Sequence, residues 1–158
     1  MVTDPWEVLR VFTEYYSDIY SSQTAPITKN LDTFFDTIAL YWANDAQSEF
    51  LDAPITLEEV AQEIQSLLNN KAPGTDGLTA HFYKTYAEIL TPHLVEVYPE
   101  AFERGTLLQS MKEATTVTLL KPGKRSDDCD SYRPLSLINI DNKILAKLLA
   151  NRLVRLLP

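Results

Sequence analysis

The chain has 158 residues, of which 45% are hydrophobic, and a formal net charge of −8, so it is long enough to form one ordinary hydrophobic core. The charge is uneven along the chain, because residues 1–70 contain two cations and twelve acids, whereas residues 71–158 contain twelve cations and ten acids. The acidic average therefore does not exclude nucleic acid as a partner, since the cations concentrate in the second half.

Two further classes of protein are disfavoured by composition. Cys129 is the single cysteine, so an intramolecular disulfide is impossible, and one Cys with two distant His residues cannot form a zinc site. No stretch approaches the roughly 18 uninterrupted apolar residues that a membrane span needs. We therefore expect an intracellular protein, cytoplasmic or nuclear, without a membrane partner.

Helix signals begin near the N-terminus. Asp4 followed by Pro5 is typical of an N-cap and a first helical residue, and it predicts a helix over about residues 5–20. The spacing of aromatic and aliphatic residues predicts a second helix near residues 31–43. The first part of the chain is thus predicted to be helical.

The middle of the chain combines helix signals with a turn-forming loop. Thr56 and Glu59 have the spacing of a capping box and predict a helix that ends before Pro73. The loop over residues 71–77 contains one proline and two glycines, so its backbone can turn tightly and approach a neighbour closely. A further helix is predicted from Thr79.

Another helix is predicted to start at Thr91 and Pro92 and to end at Arg104 and Gly105. The pattern then changes to one of β-strands. Residues 115–120 are β-branched and alternating, a turn follows at Pro122 and Gly123, and a polar loop leads to a returning strand over residues 135–138.

A last amphipathic helix is predicted, with Asp141 as its cap. We expect part of its apolar stripe to lack a partner and to form an exposed apolar patch, at Leu145, Leu148, Leu149 and Leu156. The predicted class is α+β, mostly helical, with one antiparallel β-hairpin and a C-terminal helix.

Several ordered blocks of sequence are similar to those of one enzyme family. They are Lys71-Ala-Pro-Gly-Thr-Asp-Gly77, Leu119-Leu-Lys-Pro-Gly-Lys124, Ser131-Tyr-Arg-Pro-Leu-Ser-Leu137 and Lys143-Ile-Leu-Ala-Lys-Leu-Leu-Ala-Asn-Arg-Leu153. In this order and spacing they resemble the fingers region of a reverse transcriptase from a LINE-type (non-LTR) retrotransposon. The resemblance implies a partial polymerase fold, with a helical extension over residues 1–52 and a partial reverse transcriptase domain over residues 53–158.

The resemblance also implies contacts with an RNA template, a DNA primer and an incoming dNTP. In that family the fingers hairpin closes over the nucleotide, where cations neutralise its triphosphate. The implied dNTP-binding residues are Arg133, Lys121 and Lys124. The implied nucleic-acid-binding residues are Lys71, Gly74, Asp76 and Gly77 in the loop, and Lys143, Lys147, Arg152 and Arg155 on the last helix.

The chemical step of polymerisation requires two divalent metal ions held by aspartates of the palm. The family supplies these aspartates from motifs that lie C-terminal to the region matched here. We therefore expect no catalytic residue, no metal site and no cofactor in this segment, no polymerase activity from it alone, and a palm and thumb region as a missing partner. Mg²⁺ is implied for the full-length enzyme only.

Two alternatives remain open on the sequence. The chain could be a repurposed, non-catalytic nucleic-acid-binding module, whose affinity would depend on salt and not on base sequence. It could instead be a helical protein-interaction domain, in which the cations of the last helix are an ordinary solvated face.

Overall fold

The computed structural model describes residues 4–21 and 43–156, and these form parts of two compact units. In the first unit the described residues are 4–21 and 118–133, and in the second they are 43–117 and 134–156. Helices and a two-stranded sheet make up the regular structure of these residues, which confirms the α+β class. The division into domains at residues 52 and 53 stays a prediction.

The first unit contains helix α1, Pro5–Tyr20, where a helix was predicted. The side chain of Asp4 caps it by accepting a hydrogen bond from the Glu7 amide, at 3.0 Å, and Pro5 occupies the first turn, where no amide donor is needed. The helix predicted near residues 31–43 lies outside the described residues, except for its final position.

Six helices are described in the second unit. They are α2 (Asp45–Asp52), α3 (Leu57–Ser66), α4 (Ala80–Thr85), α5 (Ala87–Glu103), α6 (Gln109–Lys112) and α7 (Ile140–Val154). None of the described helices, in either unit, combines the length and the apolar character required to cross a membrane.

Capping boxes define the starts of α2 and α3. At α3 the Thr56 hydroxyl accepts from the Glu59 amide at 3.2 Å, and the Glu59 carboxylate accepts from the Thr56 amide at 3.0 Å, as predicted. Asn44 and Gln47 make the same reciprocal pair at α2, although the sequence reasoning did not predict this helix. Asparagine with glutamine at this spacing was the signal that it missed.

Helix α5 begins at Ala87, so its predicted start at Thr91 and Pro92 is wrong. Pro92 lies inside the helix, and residues on both sides of it, including Leu90 and Leu94, pack against the core. This burial offsets the single amide donor that proline removes. The end of α5 is as predicted, because Gly105 adopts a φ of 63° and the Thr106 amide donates to the Ala101 carbonyl at 3.1 Å.

The core of the second unit lies where α3 packs against α5 and α7. Tyr98 of α5 is completely buried, and its hydroxyl donates to the backbone carbonyl of Asp141 at 2.9 Å. Burial, followed by the charge of Asp141, raises the pKa of Tyr98 above its ordinary value. The buried apolar residues of this core are Ile55, Val60, Ile64, Tyr83, Tyr98, Met111, Ile140, Ile144, Leu145 and Leu148.

Three of the four residues expected to form an exposed apolar patch on the last helix belong to the core or pack against it. Leu145 and Leu148 are 4% and 2% exposed and belong to the core, because α3 covers that face of α7. Leu149 also packs against the core. The exposed large apolar side chains of this helix are instead Leu153 and Val154 at its end.

The predicted hairpin is present, and its strands contribute to both units. Strand β1 is Ala114–Leu120 and strand β2 is Tyr132–Ile138, so β2 begins earlier than the predicted residue 135. Pro134 is compatible with a strand here because a two-stranded sheet leaves β2 with an unpaired edge. The turn after β1 contains Gly123, with a φ of 72°, as a proline and glycine turn requires.

Candidate nucleic-acid interface

The hairpin carries the three residues predicted to bind a nucleotide. Lys121 directly follows β1, Lys124 follows the turn, and Arg133 is the second residue of β2. The side chains of Lys124 and Arg133 are exposed and make no ion pair or hydrogen bond with any other described residue. Both charges are therefore available to an anionic ligand.

Lys121 differs from these two because it has a partner within the hairpin. Its ammonium donates to the Asp130 carbonyl at 2.5 Å and lies 3.8 Å from the Asp130 carboxylate. The same carboxylate accepts from the Tyr15 hydroxyl of α1 at 3.4 Å, and the rings of Phe12 and Tyr132 pack edge to face, 5.0 Å apart. Lys121 thus helps to hold the polar loop between the strands against α1.

Arg125 is a further cation of this loop, which the motif comparison did not include. Its guanidinium binds both carboxylate oxygens of Asp127, at 3.0 and 2.5 Å, and this pairing lowers the pKa of Asp127. Residues 121–133 contain four cations and three acids. Because Arg125 and Lys121 are paired with acids, Lys124 and Arg133 are the cations of this segment that have no acidic partner among the described residues.

The second unit contains the predicted loop of residues 71–77. Lys71, Asp76 and Gly77 are exposed, whereas Gly74 is half-buried. Gly74 is constrained by packing, since a Cβ atom there would lie 2.0 Å from Oδ1 and 2.5 Å from the backbone nitrogen of Asn139. Gly77 has a φ of 73°, with no atom within 4 Å of a Cβ position, so it is required for backbone conformation alone.

Asn139, and not the predicted Asp141, is the N-cap residue of α7. The prediction failed because Asp141 lies inside the first turn of α7 and not before it. Its side chain accepts a hydrogen bond from the adjacent Asn142 amide at 2.7 Å. Burial is the main cause of a raised pKa at Asp141. Asn139 is 2% exposed, and the motif analysis did not select it as a functional residue.

The basic residues predicted on α7 differ in their partners and in their burial. Lys143 donates to the Ala72 carbonyl at 3.5 Å, so it reaches the loop of residues 71–77. Lys147 forms an ion pair with Glu63 at 3.4 Å and a hydrogen bond with Ser66. Because Glu63 is buried, Lys147 neutralises a charge of the protein itself.

Arg152 is buried, at 5% exposure, and this position does not fit the predicted contact with nucleic acid. Its guanidinium makes two hydrogen bonds to the Glu59 carboxylate, at 2.8 and 2.7 Å. The other three go to backbone carbonyls, of Leu51, Ala53 and Pro54. Arg152 is therefore a structural residue that attaches α7 to the start of α3 and the segment before it.

The pairing of Arg152 with Glu59 changes the protonation of both groups. The hydrogen bonds from Arg152 are the largest cause of a lowered pKa at Glu59, and the same bonds raise the pKa of Arg152. Arg155, the C-cap residue that follows α7, is exposed, and its guanidinium lies 5.8 Å from the centre of the Phe50 ring. Of the four basic residues predicted on α7, Lys143 and Arg155 remain the better placed for an external phosphate.

RNA-directed DNA polymerases of LINE-type retrotransposons are homologues of the chain, which confirms the resemblance inferred from the motifs. No protein-family model matches the chain.

Three particular relatives show the extent of the similarity. A Xenopus laevis protein described as the transposon TX1 uncharacterized 149 kDa protein is 32% identical over 151 residues, which are 95% of this chain. The RNA-directed DNA polymerase from mobile element jockey of Drosophila funebris is 35% identical over 64% of the chain. The probable RNA-directed DNA polymerase from transposon BS of Drosophila melanogaster is 32% identical over 63% of the chain. The chain spans only 11% of the length of each of these relatives.

Proposed function

We propose that this chain supplies fingers-type contacts of a reverse transcriptase to an RNA template, a DNA primer and an incoming dNTP. The observation that carries the proposal is the exposed guanidinium of Arg133 on strand β2, which has no partner within residues 4–21 and 43–156. This residue is in the block of sequence that resembles the polymerase motif, and the homologues include enzymes named as RNA-directed DNA polymerases.

The chemistry of Arg133 suits a triphosphate. A guanidinium presents a planar set of donors that can bind two phosphate oxygens at once, and it stays charged at any physiological pH. Lys124, which is exposed near the turn of the same hairpin, adds a second positive charge. Lys121 would act mainly by holding the loop through Asp130.

The second unit would contribute contacts to the nucleic-acid backbone. Lys71 is exposed, and at least part of the side chain is accessible at Lys143 of α7 and at Arg155, the C-cap residue of that helix. Such contacts carry no base specificity, and each phosphate neutralised adds to the salt dependence of binding. Arg152 does not belong to the proposed phosphate-contacting residues, because it is buried.

The proposed contacts involve no step at a metal. Within residues 4–21 and 43–156, no group of three or more His, Cys, Asp or Glu side chains is arranged to hold a metal ion. The palm and thumb of a complete polymerase are proposed as the partners that would supply the metal site.

Salt-titrated binding to an RNA–DNA primer–template, measured by fluorescence anisotropy, tests the proposal. We expect Arg133→Ala to weaken binding about fivefold or more, and to reduce the magnitude of the salt slope by about one. Arg125→Ala is the matched control, since Arg125 is an exposed arginine of the same hairpin that already has Asp127 as its partner. It should change the affinity less than about twofold.

The result also separates the alternatives. An affinity that is insensitive to ionic strength and unchanged by Arg133→Ala would contradict the phosphate contact and favour a protein-interaction domain. Equal losses from Arg133→Ala and Arg125→Ala would show that general charge, and not the position of Arg133, determines binding.

A further inference from the structure

The side chain of Asn139 is buried at the junction of three segments of the second unit. Its Oδ1 accepts from the Thr75 hydroxyl and from the Asp76 amide, each at 3.3 Å. Its Nδ2 donates to the Ser110 carbonyl of α6 at 3.0 Å. One amide group therefore connects the loop of residues 71–77 and helix α6 to the N-cap position of α7.

Asn139 makes these contacts instead of the usual ones for its position. An asparagine at an N-cap normally accepts a hydrogen bond from an amide of the first helical turn, yet Asn139 makes no such bond to α7. The side chain of Asn139 therefore stabilises the loop of residues 71–77 and does not cap the first turn of α7. This indicates that the conformation of the loop, and not the start of α7, depends on this side chain.

Gly74 of the loop packs closely against Asn139. Any larger residue at this position would place its Cβ against the Asn139 side chain and backbone. A second link comes from α7 itself, because Lys143 donates to the Ala72 carbonyl at 3.5 Å. The loop is thus attached to the first turn of α7 at both Ala72 and Thr75–Asp76.

We propose that Asn139 is a positioning residue, which fixes the loop of residues 71–77 so that exposed Lys71 meets the nucleic-acid backbone. This inference rests on the proposed function, because it names the residue that orders one of the proposed contact sites. An amide suits the role since it offers one acceptor to the loop and one donor to Ser110. A carboxylate would present a second acceptor to the Ser110 carbonyl and would leave that contact unmade.

The experiment compares Asn139→Ala with Asn142→Ala. Asn142 lies in the first turn of the same helix and donates to the Met111 carbonyl at 2.5 Å, but makes no hydrogen bond to the loop. Both substitutions remove a partly or fully buried hydrogen bond, so both should lower the thermal stability. Thermal unfolding alone therefore does not distinguish a positioning role from a structural one.

Two other measurements make that distinction. Hydrogen exchange of the Asp76 amide should accelerate in Asn139→Ala, and the affinity for the RNA–DNA primer–template at fixed ionic strength should fall about fivefold. In Asn142→Ala both quantities should stay within about twofold of the wild type. Thr75→Val, which removes a single contact from an exposed residue, should give smaller changes in the same direction.

The outcomes separate this inference from the proposed function. If the wild type binds in a salt-dependent manner and Asn139→Ala weakens binding no more than Asn142→Ala, the positioning role is wrong and the proposed function stands. If Asn139→Ala does not fold, unchanged exchange and unchanged affinity in Thr75→Val overturn the inference. Absence of salt-dependent binding in the wild type would overturn the proposed function, and the role of Asn139 with it.

Discussion

Replacing Arg152 by methionine tests whether the predicted nucleic-acid residue is instead part of the protein interior. Methionine keeps a long apolar stem and removes the guanidinium. The side chain of Arg152 is 6% exposed, so water can replace few of its hydrogen bonds. The substitution leaves three backbone carbonyls and the carboxylate of Glu59 without their donors.

The size of the loss follows from these partners. Removing one member of a buried ion pair costs about 3–5 kcal/mol, chiefly because the other charge stays buried. The side chain of Glu59 is 29% exposed and can regain part of its hydration, so we take the lower end, about 3 kcal/mol. For a chain of this size that corresponds to a fall in Tm of about 6–12 °C.

The loss should also depend on pH. Because the pKa of Glu59 is lowered in the folded protein, its pairing stabilises the fold above the ordinary glutamate pKa of 4.5. This contribution disappears as the pH falls through the lowered value. The difference in Tm between the wild type and Arg152→Met should therefore be largest near neutral pH and should narrow in acid.

Circular dichroism melts at pH 7 and below pH ~4 measure both effects. Arg155→Met is the control, because Arg155 is the exposed C-cap residue of the same helix and, among the described residues, contacts the Phe50 ring. Its loss should cost less than about 1 kcal/mol. If the two variants melt within about 2 °C of each other, the buried network around Arg152 does not stabilise the fold as argued.

Two further predictions concern the loop and the first turn of α7. Gly74→Ala should destabilise the protein by about 3 kcal/mol, because its Cβ would meet backbone atoms of Asn139. Gly77→Ala should cost about 1 kcal/mol, from its positive φ alone. Equal chemical denaturation midpoints for the two variants would contradict the close packing at Gly74. Asp141→Asn should raise the Tm at neutral pH, since burial raises the pKa of Asp141 above its ordinary 3.8 and the ionised form is disfavoured there. That gain should vanish as the pH falls through the raised pKa toward 3.8, and a gain that persists in acid would refute its electrostatic origin.

The residues predicted for the candidate interface differ in their accessibility. Arg133 and Lys124 are exposed and unpaired among the described residues, as expected of cations on a hairpin beside a turn. The family resemblance assigned Lys147 and Arg152 to the same basic surface as Lys143 and Arg155. Their partners, Glu63 and Glu59, lie on α3, far away in sequence, and no local pattern indicates such a pairing.

Local signals determined the ends of several elements. The caps at Asp4 and Thr56 and the end at Gly105 depend on hydrogen bonds between residues that are at most five positions apart. The residue types at those positions are therefore sufficient to predict them. The similarity to retrotransposon polymerases likewise follows from ordered blocks of residues and requires no coordinates.

Tertiary structure decided which polar and charged groups face solvent. Helix α5 extends through Pro92 because the residues that flank this proline pack against the core. Asn139 binds a loop that is more than sixty positions away in sequence. Arg152 donates hydrogen bonds to three backbone carbonyls that precede α3. Each of these results depends on the packing of segments that are remote in sequence. Because burial changes the free energy of a polar group by more than local preference does, the roles of these residues emerge only once the chain is folded.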